Sequence, residues 1–199
     1  MSRPASRFSL VETARAHHQT RRFGDFEIVV FQNVRTTVEH IVLSRGPLAG
    51  PVLCRVQSQC RTGCELDAID CDCRDQLEMS LRMIDDEGSG LLVLLTQEGR
   101  GHGITTKIRA LANKNRGMDT FEAVERLGLR ADVREYWEAA DILEQLGATQ
   151  VRLITNSPEK KEALTRDGIE IVAVVPVQIE PTAGTRVHLL AKRHRGHWL

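Results

Sequence analysis

This 199-residue chain has no excess of either charge, no long apolar run and no scattered cysteine. Each absence narrows the possibilities. Lys and Arg number 27, as do Asp and Glu, whereas a general nucleic-acid binder carries a basic surplus. DNA and RNA are therefore not expected partners, although a locally basic pocket for a small phosphorylated ligand is compatible with neutrality. No stretch approaches the roughly 20 apolar residues that span a bilayer. The longest run, Leu91 to Leu95, has the length of a strand. Met1 to Ala14 is polar and basic without an apolar centre, which argues against a secretory leader and for a cytoplasmic protein without a membrane partner. Internal repeats and low-complexity tracts are also missing. All five cysteines fall between Cys54 and Cys73. A disulfide scaffold would spread them along the chain, and the cytosol would keep them reduced. Clustering points to a metal instead.

What is present reads as one ordinary globular domain, with a hydrophobic fraction of 41%. The β-rich pieces Glu27 to Phe31 and His40 to Leu43 predict paired strands. A Gly/Pro turn over 45–51 leads to a third strand, over 51–56. Leu77, Leu81 and Ile84 have helical spacing, and Gly88 and Gly90 end that helix. Leu91 to Leu95 is a buried strand. Helices are expected over 104–115 and 134–146, the second ended by Gly147. A βαβ unit follows from Val151 to Val177. The fold class is α+β (mixed α/β), a sheet flanked by helices with a Cys-rich loop. Residues 1–20 are expected to be a loose segment, 21–180 the functional domain and 181–199 a polar tail.

The chemistry concentrates in Cys60-x10-Cys71-x-Cys73. Three thiolates with an open fourth position suit a catalytic zinc, which brings water toward a pKa of about 7. Cys64, between the first two, leaves a second reading open, a closed all-thiolate structural site. Cys54, on a predicted strand, reads as a small core residue. For Asp132 and Arg134 the bland reading is a surface ion pair, and for Gln97 to Gly101 a solvated turn. A Gly-flanked turn after a strand also lets backbone N–H groups approach phosphate, and Thr155-Asn-Ser-Pro sits where a strand feeds a helix N-terminus.

Several motifs occur in one order: RVQSQCRTGCELDAIDCDCRDQ (Arg55 to Gln76), QEGRG (97–101), KIRA (107–110), DT-EA (119–123), AD-R (131–134) and LITNSPEKK (153–161). Over roughly residues 50–175 this succession resembles GTP cyclohydrolase II, the enzyme that opens guanine at the start of riboflavin synthesis. The resemblance implies zinc on Cys60, Cys71 and Cys73, with a non-cysteine residue where Cys64 stands. It implies a nucleotide pocket built from Arg55, Gln59, Gln76, Glu98, Gly99, Arg100, Thr120, Thr155 and Lys160. Catalysis falls to Asp132, as acid–base carboxylate, and Arg134, as nucleophile at the α-phosphorus. A guanidinium stays protonated, so stabilising charge on the α-phosphate is the safer physical role for Arg134. GTP as substrate, Mg²⁺ with its triphosphate and a homodimer are further implications.

The sequence departs from that pattern at a few places. The family has a tyrosine after KIRA, where this chain has Leu111; its single tyrosine is Tyr136. Leucine can neither donate nor accept a proton, so ring opening without loss of the formyl group is one expectation. Gln59, Asp70 and Arg74 also differ, which leaves another purine or pyrimidine nucleotide open as substrate. A nucleotide-binding protein with structural zinc is the reading from outside enzymology. His102, in the Gly-rich turn, reads as a turn residue.

Overall fold

The computed structural model describes residues 9–182, 184–194 and 196–198. The strands are β1 (Leu10–Gln19), β2 (Asp25–Asn33), β3 (Glu39–Arg45), β4 (Val52–Ser58), β5 (Gly90–Leu95), β6 (Gln150–Ile154) and β7 (Glu170–Val175). The helices are α1 (Arg61–Cys64), α2 (Cys73–Glu87), α3 (Gly103–Lys114), α4 (Glu122–Glu125), α5 (Trp137–Gln145), α6 (Pro158–Arg166) and α7 (Arg186–His194).

All seven strands join one mixed sheet in the order β1-β2-β3-β5-β4-β6-β7. The pairs β1–β2, β2–β3 and β3–β5 are antiparallel, whereas β5–β4, β4–β6 and β6–β7 are parallel. The unbroken apolar run of β5 has a direct cause: parallel strands at a sheet centre are covered on both faces. Leu91, Val93 and Leu95 face a core shared with Ala139, Ile142 and Leu143 of α5 and Leu164 of α6. Leu92 faces the opposite core, with Leu81 and Ile84 of α2. Helices thus cover both faces. Cys54 is fully buried in the first core, and burial pushes its thiol up to about 12.

The βαβ unit is β6–α6–β7. Ser157 caps α6 by accepting from the Lys160 backbone N–H at 3.3 Å, with Pro158 in the first turn. Three sequence expectations change. The segment expected to be loose contains β1, a strand whose side chains are exposed apart from Leu10. Pairing with β2 forms it without an apolar stripe, so hydrophobic periodicity could not reveal it; residues 1–8 lie outside the described residues. The helix expected from 134 starts at Trp137, because residues 132–134 are tied to the turn at Glu98–Gly101. The expected tail carries α7, which buries Leu189.

Candidate active site

Three parallel strands end on the same edge of the sheet. Ser58 of β4 pairs with Leu95 of β5, and Arg55 of β4 with Ile154 of β6. Their carboxyl ends therefore deliver Gln59–Cys60, Gln97–Arg100 and Thr155–Lys160 to one cleft, the place where α/β sheets bind ligands. Of the residues singled out in the sequence, Arg55, Gln59, Gln76, Glu98, Gly99, Arg100, Thr120, Thr155, Lys160, Arg134 and the three cysteines line this cleft. Asp132 does not; it reaches the cleft through Arg134.

The thiols of Cys60, Cys71 and Cys73 lie within 4.8 Å of one another, and Cys64 stands outside that compact set. Cys60 and Cys71 sulfurs are 3.5 Å apart, close to the spacing that tetrahedral zinc–sulfur bonds of about 2.3 Å would need. Hydrogen bonds from Cys64, Cys71 and Cys73 pull the Cys60 thiol far below the ordinary range, with Lys107 adding to the effect. Donating to that sulfur pushes Cys71 up to about 12 and Cys73 well above its usual value. A divalent cation would favour the thiolate form of all three. The donor set fits a zinc ion.

Gly63 marks how tightly the loop closes on the sulfurs. A Cβ there would lie 2.6 Å from Cys71 Sγ and 3.1 Å from Cys60 Sγ. Gly63→Ala is expected to weaken metal retention at least about tenfold by pushing Cys71 out of position. Competition with a chromogenic chelator would measure it; unchanged affinity would show that the loop yields.

Glu98 connects the cysteine loop to the strand-end turn. Its carboxylate accepts from the Arg61 backbone N–H at 2.6 Å, the Gly99 N–H at 2.9 Å and Lys107 Nζ at 2.7 Å. Lys107 Nζ also lies 3.0 Å from Cys60 Sγ. Burial opposes the Lys107 charge, but Glu98 and Cys60 outweigh it and raise its pKa. Arg100 holds φ 57°, in the left-handed region, and its guanidinium donates to Thr120 O and Oγ1 at 3.0 Å while stacking 3.7 Å above the Phe121 ring. Non-glycine residues adopt such backbones where the surroundings enforce them. Here Arg100 O accepts from the Val133 N–H at 3.1 Å, and Gly101 approaches so closely that a Cβ would meet Val133 Cγ2 at 2.9 Å.

That contact positions Asp132 and Arg134. Arg134 Nε lies 3.0 Å from both Asp132 oxygens, and Nη2 donates at 2.5 Å. Burial disfavours the Arg134 charge, but Tyr136 and Asp132 more than compensate, so it stays protonated. Burial likewise raises Asp132, yet hydrogen bonds from Arg134 hold its carboxyl below the ordinary value. The pair is half-sheltered, and of the two Arg134 lines the cleft.

Arg55 is buried beneath the site. It donates to Gln57 Oε1 at 3.0 and 2.6 Å, to Gln76 Oε1 at 2.7 Å and to Ile154 O at 3.1 Å. Gln57 passes this restraint to Cys73 O at 3.2 Å. Lys160 Nζ donates to Val56 O at 2.6 Å. His102 contacts Arg130 O at 2.8 Å as part of the turn. Arg74, expected to bring charge beside the thiols, instead pairs with Asp67 at 2.6 Å and Glu78 at 3.4 Å, and does not line the cleft.

Sequence reasoning missed Lys107, Lys114 and His197 as cleft residues, and Tyr136 lines it too. Lys107, Leu111 and Lys114 share one face of α3 at helical spacing, a signal that was available. Lys114 pairs with Asp70 at 2.5 Å. For His197 no motif could have served.

Fold and cleft define a mixed α/β protein with a candidate thiolate metal centre at the carboxyl ends of parallel strands. Residues 11–176 match the sequence model of the family described as GTP cyclohydrolase II. The chain is 42% identical over 177 residues to the GTP cyclohydrolase-2 of Acinetobacter baylyi, covering 87% of this chain and 88% of that protein. With the GTP cyclohydrolase-2 of Hahella chejuensis it shares 43% over 180 residues, covering 89% and 87%. It is 41% identical over 196 residues to the riboflavin biosynthesis protein RibBA of Chlorobium phaeovibrioides, covering 97% of this chain but 48% of the relative. The chain belongs to the GTP cyclohydrolase II family, and spans about half the length of that RibBA relative.

Proposed function

We propose that this protein opens the imidazole ring of GTP and releases pyrophosphate, giving a pyrimidinone nucleotide for riboflavin biosynthesis. The observation that carries this reading is the convergence of Cys60, Cys71 and Cys73 with Arg100, Arg134 and Lys160 around one cleft. The names of the relatives agree with it. Zinc held by the three thiolates would activate water for attack on the carbon between the two ring nitrogens. Glu98 and Lys107 hold the Cys60 loop in register. Arg100 is braced by Thr120 and Phe121 to meet phosphate oxygens. Arg134, protonated beside Asp132, stabilises charge at the α-phosphate as pyrophosphate departs; a Mg²⁺ ion carried in with the triphosphate would neutralise the leaving group. A protonated guanidinium has no lone pair to attack phosphorus, which favours this role over a nucleophilic one.

A second reading concerns the product, and Leu111 motivates it. Leu111 lines the cleft one turn beyond Lys107, whose ammonium touches Cys60. A hydrocarbon there offers no proton relay for the second hydrolytic event, loss of formate. Tyr136 lines the cleft as well, but its hydroxyl is engaged with Ser58 and Lys160 lies 5.4 Å over its ring. Its position is the strand-end wall rather than α3. The protein thus adds one water across the ring carbon–nitrogen bond and keeps the formyl group on the exocyclic nitrogen.

The test is to incubate zinc-loaded protein with GTP and Mg²⁺ and follow nucleotide mass, pyrophosphate and formate together. The expected product is a formamidopyrimidine nucleotide, with Leu111→Tyr raising formate toward one equivalent per turnover. Stoichiometric formate from the unaltered protein would overturn formyl retention and leave ring opening standing. GTP returned intact would overturn ring opening itself.

A further inference from the structure

The last nineteen residues, 181–199, contain no Asp or Glu but include Arg186, Lys192, Arg193 and Arg195 and three histidines. In a chain of zero net charge such a one-signed segment repels itself unless an anion lies nearby. The structure brings its described end, Gly196 to Trp198, to the nucleotide cleft. After α7, Gly196 turns the chain with φ 88°, its N–H donating to Arg193 O at 3.0 Å. The Trp198 N–H then donates to Asn156 O at 2.9 Å. Asn156 is a firm anchor, because its side chain clasps Val177 through bonds of 2.6 and 2.8 Å. Between the turn and the anchor, His197 lines the cleft on the wall formed by Thr155, Asn156, Ser157 and Lys160. Gly196, His197 and Trp198 lie beyond residue 176, where the family match ends.

We propose that the chain end at Gly196–Trp198 forms a strap against the cleft wall and that His197 is a further contact for the phosphate chain of the nucleotide. The inference rests on the reading of the cleft as a nucleotide site. Arg100, Arg134 and Lys160 line the same cleft, and a set of cationic donors favours an anionic ligand such as a phosphate chain. An imidazole N–H supplies one more donor to phosphate oxygen whatever its charge state. The apolar part of the cleft, around Ala110, Leu111 and Val124, is carried by α3 and α4, so the strap meets the wall that carries Lys160 rather than the wall suited to the base.

The experiment uses the full zinc-loaded chain. Calorimetry would compare binding of the α,β-methylene analogue of GTP and of guanosine to the unaltered protein, His197→Ala and His197→Lys. His197→Ala should weaken the triphosphate analogue by about tenfold, the size of one charge-assisted hydrogen bond, and leave guanosine unchanged; His197→Lys should restore the loss. In a Trp137→Phe background, Trp198 emission should change on addition of the analogue but not of guanosine. Equal affinities in all three proteins, or equal losses for both ligands, overturn the strap while the nucleotide site stands. No binding of the analogue to the unaltered protein overturns both.

Discussion

Cys71→Ser is expected to strip the metal and reduce turnover by about a thousandfold or more, because water without zinc has a pKa near 15.7 rather than about 7. Elemental analysis should fall from about one zinc per chain toward zero, while circular dichroism shows the sheet intact. The sheet should survive because the two cores on its faces are built from residues other than Cys71. Cys64→Ser is the informative companion. Cys64 falls outside the compact set of three sulfurs, so its loss should leave zinc and most activity in place. Loss of zinc from Cys64→Ser would instead establish a closed four-thiolate site, and with it the structural reading of the metal.

Arg134→Met is expected to reduce pyrophosphate release by about a hundredfold to a thousandfold, the scale of losing a donor aimed at developing charge. The variant should also change how stability depends on pH. In the unaltered protein Asp132 is held below its ordinary pKa by Arg134, against burial. Its contribution to stability is therefore present above the unfolded value of about 3.9 and is lost as pH falls. Without the Arg134 side chain, burial, the largest single influence, favours the neutral acid against the remaining residue-134 backbone N–H and the Arg100 charge. The half-buried carboxylate then costs stability near neutral pH and is relieved on acidification. Melting temperatures of the two proteins should differ most at pH 7 and converge as pH falls below about 4. A constant difference would show that Asp132 finds another partner.

Much of the fold was legible in the sequence. Leu91 to Leu95 announced a doubly covered strand, and Ser157-Pro158 announced the start of α6. The cleft residues were legible as motifs, but not as a place. Gln59–Cys60, Gln97–Arg100 and Thr155–Lys160 are separated by tens of residues, and only the parallel register of β4, β5 and β6 sets them on one edge. Arg74 illustrates the converse. It directly follows Cys73 in sequence, yet α2 aims its side chain at Asp67 and Glu78.

The sequence by itself determined the thiol spacing, the charged residues available for phosphate and the leucine in place of a tyrosine, because these are matters of residue identity in local motifs. Tertiary structure alone decided that Lys107 bridges Glu98 and Cys60, that Asp132 reaches the cleft only through Arg134, and that the basic C-terminal segment returns to place His197 beside Lys160's wall. β1 belongs with these. Its exposed side chains carry no hydrophobic period, and it exists because β2 offers backbone partners from Leu10 to Gln19. Local periodicity records which faces are buried. Backbone pairing between distant segments and the return of a chain end leave no such record, since they depend on what lies opposite in space.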